Sequence, residues 1–418
     1  MEIVVRKSEI EGSVKPPSSK SYTHRAFISA SLSPKARIIN PLISEDTIAT
    51  LNGCRKLGAF AWRRKGWIVE GVEDINSSGY FNFQNSGTTL RIFTGILSLS
   101  TSPRFNVLDG DRSLRKRPNR ELCLALRKLG AEIRGDAEFK APVKVKGILK
   151  GGEVEIEAAS SQFVSALLFS LPMAKGDSVL RIKRAKSTPY INITLDVLGM
   201  SGIEVEREGA DYHIPGEQRY RLKSYTVPAD FSSASYLIAA GVMAGKIKIL
   251  NIFDSEQGDK KIVEICRQMG GDVEWNKDEG VIVARKSDLE GVEVDASDIP
   301  DLVPTISILA AVARGETRIY NAEHLRIKEI DRIEGISRNL RALGVEVTTF
   351  RDGLVIRGGR REFKGTVDSF GDHRMALAFS LLGLLGEVRC RNAEAVSVSY
   401  PGFFDVLRSL GAKVERVN

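Results

Sequence analysis

Cations gather in this chain where apolar helices are about to begin. The segment PPSSKSYTHR places Lys20, Ser21 and Arg25 just ahead of AFISASL. Its two prolines hold the approach extended, because the ring fixes φ and the residue before a proline avoids the α region. The association returns beside NSGTTLR with Gly87 and Arg91, in DGDRSLRKRPNR with Arg117, in EHLRIKEIDR with Lys328 and Arg332, and in GDHRM with Arg374. Arginine presents a planar fork of donors that grips phosphate or carboxylate bidentately. Helix N-termini add unsatisfied N–H groups and about half a positive charge each. The chemistry this predicts is capture of small anions.

The elements that must position these residues follow from an internal repeat. One phrase recurs: CRKLGAF with Gly58, LRKLGAEI with Gly130, LGMSGIEV with Gly202, CRQMGGDV with Gly270, LRALGVEV with Gly344 and LRSLGAKV with Gly411. The intervals are 72, 72, 68, 74 and 67 residues. Each copy reads as an amphipathic helix ending on a glycine, followed by a strand. A second series runs in step. Near residues 21, 86, 161, 232, 301 and 372 a polar cluster introduces a helix that is apolar on nearly every face, such as FVSALLFSLPMA or LVPTISILAAVA. A helix greasy all round is buried. With short strands such as ARIIN, GWIVEG and GLVIRG between them, the class is α/β, with six repeats in two domains of three. Equivalent repeats would aim six helix N-termini at one anion-attracting cleft.

Each segment also has a plainer reading. SSKS and SSQF serve as ordinary serine N-caps, Asp301 caps the helix after Pro300, KEIDR pairs along a helix face, and Arg112 to Arg120 forms a solvated patch or a nucleic-acid contact. Composition bounds the rest. At 418 residues the chain exceeds one usual core. Its net charge of +8 suits an anionic partner. Cys54, Cys123, Cys266 and Cys390 form no CxxC pair and read as buried reduced thiols, which predicts a cytoplasmic home. His24, His213, His324 and His373 have no metal-ligand spacing, so no metal is expected. The longest greasy stretch, MALAFSLLGLLG, is short of the roughly 20 residues of a membrane span, and no membrane is expected. No segment reads as a dimerisation helix, so a monomer is expected.

PPSSKSYTHRA, NSGTTLR, DGDRSLRKRP, SSQF, STPYINIT, DFSSASY, IPDLVPT, EHLRIKEIDR and GDHRMA, in this order, resemble the signature segments of the 5-enolpyruvylshikimate-3-phosphate synthases, within the enolpyruvyl transferases. The resemblance spans essentially the whole chain. It implies an inverse α/β barrel fold of two domains, each of three βαβαββ units with buried parallel helices. The domains would run over 15–226, and over 1–14 with 228–418, with hinges near 13–17 and 227–230. It also implies transfer of the enolpyruvyl group of phosphoenolpyruvate to the 5-hydroxyl of shikimate 3-phosphate, with no cofactor.

By this similarity, shikimate 3-phosphate would meet Lys20, Ser21, Arg25, Ser160, Ser161, Gln162, Ser187, Tyr190, Asp301, His324 and Lys328. Phosphoenolpyruvate would meet Lys20, Gly87, Arg117, Gln162, Arg332 and Arg374, where the inhibitor glyphosate also binds. Asp301 would take the hydroxyl proton, Glu329 would move the proton at the methylene carbon, and Lys20 would assist the departing phosphate. A carboxylate among cations loses its proton readily, which suits Asp301 as base, whereas Glu329 as an acid needs desolvation. Two departures stand out: Val398 lies where many members carry lysine, and His324 where some carry asparagine. The nearest alternative is a UDP-N-acetylglucosamine enolpyruvyl transferase, which usually holds a cysteine in the loop around 110–118; DGDRSLRKRP has none. A nucleic-acid binder is the other, but Trp62, Trp67 and Trp275 do not interleave with the basic runs as stacking platforms would.

Overall fold

The computed structural model describes residues 1–157, 160–184 and 186–417. Its helices are α1 (Lys20–Ser31), α2 (Glu45–Leu57), α3 (Gly87–Leu97), α4 (Arg120–Lys128), α5 (Ser161–Ser170), α6 (Pro189–Met200), α7 (Phe231–Ala244), α8 (Ile262–Gln268), α9 (Val303–Val312), α10 (Arg332–Ala342), α11 (His373–Ser380) and α12 (Phe403–Ser409). The odd-numbered helices begin at the polar clusters and are buried along nearly their whole length. The even-numbered ones bury one face and end at the repeated glycines. At Gly202 and Gly344 φ is 73° and 77°, the left-handed turn that frees the chain to leave the helix. A strand follows each of these glycines within a few residues.

Six four-stranded sheets share one pattern. In each, an outer strand pairs parallel with its neighbour, and the next two pairings are antiparallel. Gly152–Glu157 beside Ser178–Lys183, then Asp211–Ile214 and Glu206–Glu208, is one example. The chain ends close the set: Glu2–Arg6 lies between Glu387–Arg391 and Lys413–Val417, and Ile10–Val14 pairs with Gly245–Leu250. The chain divides into two compact units, residues 1–17 with 228–418, and residues 18–227. Each has its own continuous apolar core. Residues 15–17 therefore group with the C-terminal unit.

Two apolar stretches are shorter α-helices than their pattern predicts. FVSALLFSLPMA is α-helical only to Ser170 and tightens into a 3₁₀ turn at Leu171–Met173, where Pro172 has no N–H to continue the ladder. In MALAFSLLGLL the α-helix stops at Ser380 and a 3₁₀ turn covers Leu381–Leu385. Among the described residues no helix is long and apolar enough to cross a membrane.

Candidate active site

In the unit of residues 18–227, α1 carries the first cluster. Arg25 is 1% exposed and donates to Thr194 Oγ1 at 2.8 Å, to Ser165 Oγ at 3.0 Å, and to the carbonyls of Ser21 and Tyr190 at 2.9 and 3.1 Å. None of these acceptors is a carboxylate. Burial lowers its pKa to about 10, since a desolvated cation held by neutral oxygens is stabilised less than one in water. Lys20, the first residue of α1, pairs with Asp46 at 3.0 Å. Ser19, the N-cap, makes no capping bond, so the start of α1 keeps N–H groups for another acceptor. Next to Arg25, buried His24 joins a chain of hydroxyls: its Nδ1 lies 2.6 Å from Thr50 Oγ1, which is 2.5 Å from Thr89 Oγ1, which is 2.6 Å from Ser86 Oγ. Burial, with Lys20 and Arg25 nearby, lowers the His24 pKa, so the ring is neutral at pH 7. This chain ties α1, α2 and the N-cap of α3 together.

The second cluster joins the starts of α3 and α5. Gln162 Oε1 accepts from Arg91 Nη1, and Gln162 Nε2 donates to Thr88 Oγ1 at 2.9 Å. Arg91 is held from behind by Asn119 Oδ1 at 3.0 Å and lies over the Phe163 ring. Arg117 donates to Asn85 Oδ1 at 2.7 Å and Ser113 Oγ at 3.2 Å. Gly87 sits among them: a Cβ there would come within 3.1 Å of Arg117 Nη1, 3.4 Å of Arg91 Nη1 and 3.5 Å of Gln162 Oε1. The run Arg112 to Arg120 is thus no uniform solvated patch. Arg115 grips Asp109 at 2.8 and 2.6 Å and pulls that acid to about 2, while Arg117 turns to Asn85. Ser160 caps α5 on the N–H of Gln162, Ser161 is the first residue of α5, and Ser187, at φ 57°, accepts from the N–H of Tyr190 just ahead of α6.

In the other unit the starts of α9, α10 and α11 converge on Arg332, 1% exposed. Its Nε meets Asp372 at 2.7 Å, Nη1 meets Asp301 at 2.8 Å and Nη2 meets Glu329 at 2.8 Å. Burial alone would lower its pKa, but Asp372, Glu329 and Asp301 outweigh it and hold the cation above the ordinary arginine range. Arg374 takes the second oxygen of Asp301 at 2.6 Å, and its Nη1 reaches the Tyr236 hydroxyl of α7 at 3.5 Å. Asp372 also caps α11 through the N–H of Arg374 at 2.8 Å. Asp301 does not cap α9: that N-cap is Leu302, which makes no side-chain bond, and the carboxylate is spent on two guanidinium groups. KEIDR is likewise not a helix face, because α10 begins at Arg332 and Lys328 and Glu329 precede it. His324 is buried in the turn Glu323–Ile327, and half-buried Lys328 follows directly.

Several supporting residues escape a reading by residue type. Asp46 looks like first-turn acid behind the Ser44 capping box, yet it holds Lys20. Asn85 and Asn119 lie 32 and 28 residues from the arginines they orient. The signal for Asp372 was present in GDHRM, next to Arg374.

The family model of EPSP synthase (3-phosphoshikimate 1-carboxyvinyltransferase) matches residues 4–407. The chain belongs to the EPSP synthase family. It is 68% identical over 419 residues to a 3-phosphoshikimate 1-carboxyvinyltransferase of Archaeoglobus fulgidus, covering 100% of both chains, and 43% identical to one of Methanocaldococcus jannaschii, covering 99% of each. Among solved structures it is similar to EPSP synthase from Acinetobacter baumannii, with a TM-score of 0.83 at 27% identity over 99% of this chain and 100% of that one. The enolpyruvyl transferase NikO from Streptomyces tendae shares the fold, with a TM-score of 0.81 at 18% identity over 100% of this chain and 98% of that one. In this EPSP synthase family member, Val398 ends the turn Ala393–Val398 packed against α11, the helix that carries Arg374.

Proposed function

We propose that this chain transfers the enolpyruvyl group of phosphoenolpyruvate to the 5-hydroxyl of shikimate 3-phosphate and releases phosphate, a step of the shikimate pathway toward aromatic amino acids. The observation that carries the residue assignment is the sharing of Asp301 between Arg332 and Arg374, with Glu329 on the same guanidinium. It sets two carboxylates suited to proton transfer against the two cations suited to the donor's charged groups.

The roles follow from those contacts. Arg25, with only neutral partners, is ready for an anion and binds shikimate 3-phosphate with Ser21, Ser160, Ser161, Gln162, Ser187, Tyr190, His324 and Lys328. Lys20, Arg117, Gln162, Arg332 and Arg374 bind phosphoenolpyruvate, and Gly87 leaves the room it needs. As the donor's phosphate and carboxylate compete for Arg332 and Arg374, Asp301 loses its two cations and its basicity climbs. It then takes the proton of the attacking 5-hydroxyl. Glu329 delivers a proton to the methylene carbon and the hydroxyl oxygen adds to the neighbouring carbon; phosphate then leaves the tetrahedral adduct while Lys20 meets its charge, and a methyl proton returns to Glu329 to restore the double bond. Glyphosate would occupy the donor's position. Four buried free cysteines, each pushed up to about 12 by burial, support a reducing, cytoplasmic setting.

The test is phosphate release from phosphoenolpyruvate with shikimate 3-phosphate present, absent, or replaced by UDP-N-acetylglucosamine. Release only in the first arm is expected. Release with the UDP-sugar instead would overturn the reading.

A further inference from the structure

Asp259 lies in the 3₁₀ turn Gly258–Lys261, against the start of α7, and is 3% exposed. One carboxyl oxygen, Oδ2, accepts from Ser232 Oγ; among the described residues the other, Oδ1, has no hydrogen-bonding partner. The turn is locked in place by Gln257, which accepts from the N–H of Phe231 at 3.0 Å and donates to the carbonyl of Ala229 at 2.8 Å. The charges that bear on Asp259 come from three elements: Asp301 ahead of α9, Arg374 on α11 and Asp230 at the N-cap of α7. The other charged residues nearby point elsewhere. Lys260 reaches Asp254 at 2.6 Å, Lys261 is exposed, and Glu264 and Arg267 of the adjoining α8 are exposed.

A buried carboxyl group and a second, partly exposed one whose charge bears on it do not both ionise cheaply. Asp301 has two guanidinium partners, at 2.8 and 2.6 Å, and Asp259 has one hydroxyl. The negative charge belongs on Asp301 and the proton on Asp259. We propose that Asp259 is a positioning residue of the reaction, an undissociated acid beneath the start of α7 whose neutrality keeps Asp301 ionised and keeps an extra negative charge away from Arg374. The inference rests on the assignment of Asp301 and Arg374 to this reaction. Burial, followed by the charge of Asp301, raises the Asp259 pKa to about 7, so the proton is lost as pH rises through neutrality. The added charge then works against the anionic donor.

Two measurements test this. In wild-type enzyme the KM for phosphoenolpyruvate is expected to rise about fivefold between pH 6 and 9, the size of a partly screened buried charge. Asp259→Asn should flatten that rise to less than about twofold, because the amide cannot ionise. Ser232→Ala, which removes the hydrogen bond that favours the charged form, should move the rise to higher pH while leaving Asp259 in place. A purely structural role would leave all three profiles parallel, and parallel profiles overturn the proposal. The second measurement needs no turnover. An infrared difference spectrum between pH 6 and 9 should show a protonated-carboxyl C=O band that disappears on titration in wild type and is missing from Asp259→Asn. A wild-type spectrum without that band overturns the proposal even if the enzyme is active. A wild type that shows the band yet releases no phosphate leaves the buried acid standing and refutes the enolpyruvyl-transfer reading on which its role depends.

Discussion

Replacing Arg332 by methionine removes the cation shared by Asp372, Asp301 and Glu329 while keeping an unbranched side chain of comparable length. The cost can be apportioned from exposure. The Asp372 side chain is fully buried, so stranding it is the dominant loss, about 3–5 kcal/mol for breaking one side of a buried pair. Asp301 is 15% exposed and retains Arg374, and Glu329 is 20% exposed and can turn to water, so each adds about 0.5–1 kcal/mol. The sum is about 5 kcal/mol. At about 2–4 °C per kcal/mol for a unit of this size, Arg332→Met should lower Tm by about 10–20 °C, measured by calorimetry without substrates. The penalty also has a sign in pH. Without their cation these acids take up protons in the folded state that the unfolded chain does not, so the deficit should widen as pH rises from about 4 to 7. Arg374→Met is the control. It strands one oxygen of a partly exposed Asp301 that still has Arg332, and should cost no more than about 2 kcal/mol. If Arg332→Met melts within about 3 °C of wild type, or Arg374→Met falls as far, the view of Arg332 as counter-ion for a buried carboxylate is wrong.

Gly87 does not need the left-handed region, so Gly87→Ala should fold with Tm within about 2 °C of wild type while its methyl displaces Arg117 and Arg91. A loss of about 1 kcal/mol gives about a fivefold rise in KM for phosphoenolpyruvate and weaker glyphosate inhibition, read by steady-state kinetics. Val398→Lys adds a cation on the turn packed against α11 and should lower that KM, whereas an unchanged value counts against a donor contact at this position. Asp259 binds a proton in the folded state between its unfolded pKa near 3.8 and about 7, so its contribution to stability falls as pH rises through that window, by up to about 4 kcal/mol. Asp259→Asn should therefore gain stability over wild type progressively from pH 4 to 8, as read by denaturant midpoints.

The architecture was legible because it is written locally and six times over. Gly344 must be glycine to leave α10 at a positive φ, and a helix as apolar as LVPTISILAAV has nowhere to go but a core. The candidate site was legible as residue types and not as partnerships. Asp301 follows Ile299 and Pro300 in a stretch that reads equally well as a cap, and only the folded chain brings it to Arg332 and Arg374, 31 and 73 residues away. Asp259 was invisible for the same reason. In QGDKK it looks like an exposed turn, since the two lysines after it suggest water, and its burial depends on Gln257 tying the turn beneath α7.

The two units keep buried guanidinium groups in opposite ways, and the difference matters for how anions would bind. Arg25 is held by Thr194, Ser165 and two carbonyls, an arrangement that orients the fork but leaves its charge unneutralised. Its depressed pKa measures that deficit, and an arriving phosphate has no resident carboxylate to displace there. Arg332 stands at the other extreme, with three acids already in place. An anion gains nothing at Arg332 unless an acid yields, and the acids are unequal. Asp372 is fully buried and caps α11, whereas Asp301 and Glu329 keep some exposure to water and would be the acids to yield. Donor binding on that side, as proposed, would therefore be an exchange that costs affinity and releases the carboxylates assigned to proton transfer. Acid–base competence would then be a consequence of occupancy, with Asp301 a usable base only after its cations have found another anion.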